Sequence, residues 1–335
     1  MKKINKIKSN SFSRTFSVAK LALKSGADFL FSKEKEFKGK ITSGIKERIE
    51  EITHEMNLMK GGMLKAGQML ASYAGTFLPP ETRKILEAME SNAYFLAWEE
   101  VRDLIPQEWR SQLDIAEEPM AAASLGQVHL AVEKKSGIKM AMKIQYKGVG
   151  KAIDNDILAV KLLLKSMNVL PTELDLSEVF LEIKEMLKQE TNYLAEVEHC
   201  QQFALLLKDD PDFYIPAVYS QFSNERIICT ELLSGFSPRA ELVASIDQAT
   251  RNHLGERLLD LFFREIFLWG RMQTDPNFGN FLLLPGQMGT SYRWGLLDFG
   301  ATKILPPAIA QAYQDLILSC AYEEKKLFFK TIETL

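Results

Sequence analysis

Between Arg271 and Thr302 the chain carries an Asp, an Asn five residues later, a short apolar run, a Pro-Gly turn and a second apolar run that ends in Asp298-Phe299-Gly300. Two apolar runs around a Gly-containing turn predict a β-hairpin. Its strands would hold Asn280 and Asp298 side by side. These two oxygen-bearing side chains suit Mg²⁺, a hard cation that completes its shell with phosphate oxygens. Asp275, at the entrance, is placed to orient or deprotonate an attacking hydroxyl or water. The order of parts is that of a phosphoryl-transfer site. The bland alternative is a surface hairpin, because Asp-Pro and Gly-Asn pairs are common turn formers. Asp-x₄-Asn at a hairpin's distance from Asp-Phe-Gly argues against it.

Such a site also needs a small-residue cover over the phosphates, an anchoring lysine and a partner for that lysine. A change to period two near Met120 predicts a second hairpin, with strands over 121–132 and 139–145. Its first strand reads Ala121-Ala122-Ala123-Ser124-Leu125-Gly126-Gln127-Val128, where a protein kinase has Gly-x-Gly-x-Phe-Gly-x-Val. Gly126 and Val128 keep their places. Alanine at 121 and 123 keeps the loop small but disfavours positive φ and a close approach of backbone to phosphate. Met140-Ala141-Met142-Lys143 on the second strand has the form of the kinase Val-Ala-Ile-Lys, so Lys143 is expected to face the α- and β-phosphates. Thr230-Glu231-Leu232-Leu233 falls where adenine meets a kinase hinge, which makes Glu231 and Leu233 nucleotide-binding candidates.

Apolar residues between Gly44 and Met69 recur at steps of three and four and predict an amphipathic helix. Lys65 and Gln68 then share one face. Thr76 to Pro80 breaks it, and short helices are expected over Glu81–Glu90 and Trp98–Leu104. One long helix is expected over Ser177–Lys208. On a single axis, the six residues between Glu190 and Glu196 place them about 120° apart, one for Lys143 and one for Lys65. Strands are expected at Ala217–Phe222 and Arg226–Glu231, and a mainly helical stretch from Ile246 to Gly270.

Charge is unevenly distributed: of 41 basic residues seven precede Asp28, leaving 34 against 44 acidic ones. Such a basic leader, running into Phe16-Ser17-Val18-Ala19-Lys20-Leu21-Ala22-Leu23, suits an anionic membrane surface or an organelle transit peptide. The alternative is a solvated terminus. No apolar stretch is long enough to span a bilayer, and none reads as a secretory signal. Cys200, Cys229 and Cys320 are far apart, as are His54, His129, His199 and His253, so neither disulfides nor a His/Cys metal site is expected. No nucleic-acid partner is expected.

Taken together, these motifs resemble the UbiB family of atypical kinase-like proteins, associated with coenzyme Q (ubiquinone) biosynthesis. The resemblance runs from about residue 10 to Thr302. It rests on Lys65-Ala-Gly-Gln68, the Ala-rich loop, Lys143-Ile-Gln145, Glu190 with Glu196, Gln273-Thr-Asp275-Pro-Asn277 with Asn280, and Leu297-Asp298-Phe-Gly-Ala-Thr302. It implies an α+β, two-lobed protein-kinase-like fold with an N-terminal helical extension over the active site. The divisions would be 1–110 for leader and extension, 111–233 for the N-lobe and 234–335 for the C-lobe.

The resemblance further implies ATP/ADP and Mg²⁺ as cofactors and an ATPase without protein kinase activity in trans. Isoprenoid or quinone lipids, a membrane surface and quinone-biosynthesis proteins are the implied partners, on the cytoplasmic or matrix side and peripherally bound. By position, Ala121 to Gly126 cover the phosphates, Lys143 anchors them, Glu196 positions Lys143, Asp275 orients the nucleophile, and Asn280 with Asp298 holds Mg²⁺. Lys65, Gln68 and Glu190 hold the extension. Two alternatives remain at this level: a nucleotide-regulated lipid-binding scaffold without turnover, and a small-molecule kinase. Two departures stand out. Asn192 occupies the place of the family's Asp in Glu-x-Asp, and the chain ends about 35 residues after Asp-Phe-Gly, where relatives carry more helical lobe.

Overall fold

The computed structural model describes residues 2–4, 62–74, 94–123, 125–166, 175–275, 277–286 and 292–333. In chain order its first elements are β1 (Lys2–Ile4), α1 (Gly62–Ala74), β2 (Tyr94–Leu96), α2 (Trp98–Arg102), α3 (Gln107–Gln112), β3 (Leu113–Ile115), β4 (Ala121–Ala122), β5 (Gly126–Glu133) and β6 (Lys139–Gln145). There follow α4 (Val149–Ser166), α5 (Ser177–Glu190), α6 (Tyr193–Leu206), β7 (Phe213–Tyr214), β8 (Ile227–Glu231) and α7 (Gln248–Phe267). The last are β9 (Arg271–Gln273), β10 (Phe281–Pro285), β11 (Tyr292–Leu296), β12 (Thr302–Ile304), α8 (Pro307–Ala321) and α9 (Lys325–Ile332). The chain forms two compact units, Met1–Leu194 with Tyr219–Thr230, and Ala195–Val218 with Glu231–Leu335. Among the described residues no helix is long and apolar enough to cross a membrane.

The first unit is built on a five-stranded sheet of order β3-β5-β6-β8, with β4 pairing β5. Period-two alternation in β6 buries Met140, Met142 and Ile144 on one face, where they join Ile105, Leu113, Ala131, Phe222, Ile227 and Cys229. Lys143 is thereby sent to the other face. Beside the sheet α1 packs against α4 and α5, and the approach at Gly62 is close enough that a Cβ there would lie 3.0 Å from Asp156 Oδ2. In the leader, Lys2–Ile4 pairs in parallel with β2.

Buried polar groups pin β2 to the sheet. Gln127 accepts from the Leu96 N–H (2.8 Å) and donates to the Leu96 carbonyl (3.3 Å) and to His129 Nε2 (2.9 Å). His129 Nδ1–H therefore donates to the Ala116 carbonyl at 2.7 Å, so the ring is neutral. Both side chains are fully buried, and burial lowers the His129 pKa.

In the second unit α7 is capped by Asp247, which accepts from the Thr250 N–H at 2.9 Å. Around it Phe203, Leu207, Phe213, Leu254, Leu261, Trp294 and Phe299 form a core. Two small sheets, β10-β11-β7 and β12-β9, are built on this core.

Three local expectations are corrected. The single helix over Ser177–Lys208 is two helices: the Thr191 hydroxyl turns back to the Lys188 carbonyl at 2.7 Å, and the Asn192 N–H closes on Gln189 at 2.9 Å. Side chains of these types offer the backbone an alternative to the helix ladder, so Glu190 and Glu196 do not share one axis. The segment Ala217–Phe222 is no strand but ends in a 3₁₀ turn over Ser220–Phe222, while Phe213–Tyr214 pairs in parallel with β11. The helix expected over Trp98–Leu104 stops at Arg102, just ahead of Pro106, which caps α3. Of the helix expected over Gly44–Met69, the part from Gly62 is α1. The rest, together with Glu81–Glu90, the apolar end of the leader and Ser124, lies outside the described residues.

Candidate active site

In the second unit the hairpin forms as its spacing predicts, with Phe281 opposite Leu296 and Pro285 opposite Tyr292. One step beyond this ladder, the Leu297 N–H donates to the Asn280 carbonyl at 2.9 Å, so Asn280 and Asp298 flank the same end of the hairpin. The antiparallel pair β9–β12 sets Gln273 opposite Thr302. Thr274 donates to the Ala301 carbonyl through its N–H (3.0 Å) and its hydroxyl (2.6 Å), which lays the Asp275 segment along the Asp-Phe-Gly segment.

One side-chain amide ties the Asp275 and Asp298 segments together. Gln273 Nε2 donates to the Asp275 carbonyl at 2.8 Å and to the Asp298 carbonyl at 3.4 Å, while its Oε1 accepts from the Asp275 N–H at 2.9 Å. The Asn280 amide nitrogen donates to the Asp275 carbonyl (3.0 Å) and to its Oδ2 (3.3 Å). With the nitrogen so engaged, Oδ1 is the Asn280 atom that can serve a cation. Asp298 Oδ1 accepts from the Gly300 N–H at 2.9 Å.

Phe299 anchors this turn. It is buried and lies with its ring centroid 4.8 Å from that of Phe203, and burial of such a ring contributes about 1.5–3 kcal/mol. Glu196, on α6, is buried. A Cβ built at Gly300 would stand 3.4 Å from Glu196 Oε2 and 3.3 Å from Asp298 Oδ1, so glycine is needed where these two acids flank the turn. Their charge adds to burial in pushing the Cys200 thiol up to about 12. That thiol is inert.

Two further groups support the loop from below. Glu265, buried on α7, accepts from the Gln273 backbone N–H, and burial pushes its carboxyl up to about 8. Arg271 Nη1 donates to His199 Nδ1 at 2.8 Å, and burial followed by that guanidinium lowers the His199 pKa.

At the end of β8, the Glu231 carboxylate accepts from the Tyr214 hydroxyl (2.7 Å) and the Ala217 N–H (3.3 Å). The Glu231 N–H is committed to the Ala217 carbonyl at 2.8 Å, so it is not a donor for a base. Leu233 Cδ1 would lie 3.2 Å from a Cβ at Gly295, which places that side chain over β11.

In the first unit Val128 and Lys143 are direct cross-strand partners. Gly126 opposes Gln145, and a Cβ there would collide with the Ile144 carbonyl. Its smallness thus serves the strand pairing. Ala121 and Ala122 double back as β4 against Val128 and Gln127, and the Ala123 N–H reaches the Gly126 carbonyl at 3.0 Å. Among the described residues Glu323 is the one non-glycine residue with positive φ, so Ala121, Ala122 and Ala123 do not supply a glycine-like loop. Lys143 Nζ sits 5.1 Å from the centroid of the Tyr193 ring. Lys65 Nζ pairs with Glu190 Oε1 at 3.0 Å, with side chains 9% and 11% exposed, while Gln68 is half-buried on the same helix.

Sequence reasoning missed Tyr193, Glu265 and the cross-segment reach of Gln273. Only Gln273 carried a signal, as part of Gln273-Thr-Asp275-Pro-Asn277. A cleft of about 430 Å³ in the second unit is lined by Asp210, Asp212, Arg257 and Arg264. Its charges are mutually paired: Arg257 reaches Asp210 and Asp212 at 2.6 and 2.8 Å, and Arg264 reaches Asp210 at 2.7 Å.

Comparison with known proteins identifies the family. Residues 88–331 match the ABC1 atypical kinase-like domain. The chain is 33% identical over 283 residues to the Saccharomyces cerevisiae protein named atypical kinase COQ8, mitochondrial, covering 83% of this chain and 55% of that one. It is 34% identical over 291 residues to atypical kinase COQ8B, mitochondrial, of Danio rerio, covering 85% and 46%. The chain thus spans about half the length of these curated relatives. A solved structure, the complex of Rv3197 with erythromycin from Mycobacterium tuberculosis, matches with a TM-score of 0.50 at 25% identity, covering 87% of this chain and 73% of that one. The fold is the α+β, kinase-like one that the motifs imply, and the chain belongs to the ABC1 (UbiB) family of atypical kinase-like proteins.

Proposed function

We propose that this protein is an ATP- and Mg²⁺-binding, atypical kinase-like ATPase that supports ubiquinone biosynthesis at a membrane surface and does not phosphorylate other proteins in trans. The observation that carries the reading is the bonded set Gln273–Asp275–Asn280–Asp298. In it a carboxylate and an amide oxygen stand at the end of one hairpin, and a second carboxylate is bonded to that amide. This donor set fits Mg²⁺, which takes oxygen ligands and shares them with phosphate. Asn280 and Asp298 would hold the ion, whose chemistry when bound is to neutralise phosphate charge.

Asp275 orients or deprotonates the attacking water, with its backbone fixed at both amide and carbonyl by Gln273. Lys143 anchors the α- and β-phosphates, Val128 lines the same sheet face, and Ala121 to Gly126 cover the nucleotide. Glu231 and Leu233 border the base. Glu196, on α6, positions Lys143. The Lys65–Glu190 pair supports a role for the extension as a fixed part of the fold, held where a protein substrate would otherwise dock. The names of the mitochondrial COQ8 relatives support the link to quinone biosynthesis. The seven basic residues of the leader support peripheral binding to anionic lipid, at about 1 kcal/mol each near such a surface.

The test is phosphate release from ATP by the purified chain, with Mg²⁺ or with chelator, and with or without liposomes of anionic lipid. Mg²⁺-dependent release that rises with liposomes and leaves added protein unlabelled is expected. Efficient labelling of a generic protein substrate, or no nucleotide binding at all, would overturn the reading.

A further inference from the structure

The contact between Lys143 and Tyr193 extends this reading. The lysine's Nζ lies 5.1 Å from the centroid of the Tyr193 ring, inside the range at which an ammonium is held by an aromatic face. Tyr193 is only 1% exposed and Lys143 is half-buried, so the ring side of the contact is shielded from water. The way the chain is led to this point is specific. Tyr193 is the first residue of α6, directly after the Thr191-Asn192 break, and Gln145, two residues past Lys143 on β6, donates its Nε2 to the Thr191 carbonyl at 2.9 Å. The strand that carries the lysine therefore grips the link that delivers the ring. Tyr146, equally buried, lies close enough to Tyr193 that the second phenol adds to burial in raising its pKa. The Tyr146 phenol is thus neutral at physiological pH.

We propose that Tyr193 is a positioning residue for Lys143: its ring face fixes the ammonium where it anchors the nucleotide phosphates. The inference rests on the reading of Lys143 as that anchor. The break in the helix thus has a use, since an unbroken helix over 177–208 would not carry residue 193 along the same path.

The experiment uses the full chain and measures MgADP affinity together with KM and kcat for phosphate release. Lys143→Ala comes first. If nucleotide affinity is unchanged, the anchor reading itself fails, and the inference with it. If affinity falls, the ring is tested separately. Tyr193→Leu is expected to raise KM about 3- to 30-fold with a smaller change in kcat, Tyr193→Phe to recover most of the loss, and Tyr193→Leu to add nothing in the Lys143→Ala background. Phenylalanines with increasing fluorine at position 193 keep size and fold while draining the ring's electron density. KM should climb with each fluorine. A flat response to fluorination, or an equal effect of Tyr193→Leu with and without Lys143, would overturn the proposal while leaving Lys143 as the anchor.

Discussion

Asn280 holds Asp275: its amide nitrogen lies 3.0 Å from the Asp275 carbonyl oxygen and 3.3 Å from Oδ2. One side chain thus orients the proposed base with its nitrogen and leaves its oxygen for the proposed Mg²⁺. A change at Asn280 or Asp298 should therefore be felt by the other parts. Asp298→Asn removes one of the negative charges that attract Mg²⁺ and should abolish the Mg²⁺-dependent part of thermal stabilisation by ATP, where electrostatic terms are worth several kcal/mol. Unchanged stabilisation by MgATP in this variant would show that Asp298 does not hold the ion.

Gln273 touches no candidate substrate position, yet it fixes the backbone on both sides of Asp275 and reaches Asp298. Gln273→Ala should lower kcat for phosphate release by about 10- to 100-fold, as small misplacements of reacting groups do, with little change in KM. Steady-state kinetics over a range of ATP concentrations decide between this and a loss of binding.

The ion pair Lys65–Glu190 is nearly buried, with about a tenth of each side chain exposed. Lys65→Ala leaves a buried carboxylate and should cost ~2–4 kcal/mol in urea unfolding, while Lys65→Met with Glu190→Leu recovers much of it. Equal stability of the single and double variants would mean that the pair is not coupled.

His129 is held neutral by Gln127 and the Ala116 carbonyl, and its folded pKa lies below its ordinary value. The unfolded chain takes up that proton near pH 6.5 and the folded chain does not. Its contribution is therefore complete above about pH 6.5 and is lost as pH falls toward the lowered folded value. Urea midpoints at pH 7.5 and 5.5 should separate in the wild type and converge in His129→Asn.

Glu265 has the opposite sign. Its folded pKa is raised to about 8 from the ordinary carboxyl range, so its contribution is complete at acidic pH and is lost as pH rises through about 8. Glu265→Gln keeps an acceptor for the Gln273 N–H without the charge. Its melting temperature should exceed that of the wild type increasingly from pH 6 to pH 9, and a constant difference would exclude titration of Glu265 as the cause.

Much of this arrangement was legible along the chain because it depends on local rules. Alternation over Lys139–Gln145 puts Lys143 on the face opposite Met142 and Ile144, and a hairpin between Asn280 and Asp298 follows from two apolar runs around a turn. Such signals act over a few residues and need no knowledge of distant neighbours. Lys65 meets Glu190 as the motif resemblance implied.

What only the tertiary structure decided lies in contacts between segments distant in sequence. The bond from Gln273 to the Asp298 carbonyl joins residues 25 apart, and the bond from Gln145 to Thr191 joins residues 46 apart. Periodicity does not encode either. The helix break at Thr191-Asn192 shows why: helix propensity along Ser177–Lys208 differs little between one helix and two, by tenths of a kcal/mol per residue, while a strand that accepts the link and a buried ring beneath Lys143 tip the balance. The same holds for β7, where two residues, Phe213 and Tyr214, become a strand because β11 offers an edge to pair with. Their own sequence is too short to specify one. Residue order and local chemistry thus determined which groups are available to the candidate site. Packing determined which of them touch, because the free energy of a buried polar or aromatic contact depends on neighbours that the chain supplies only after it has folded.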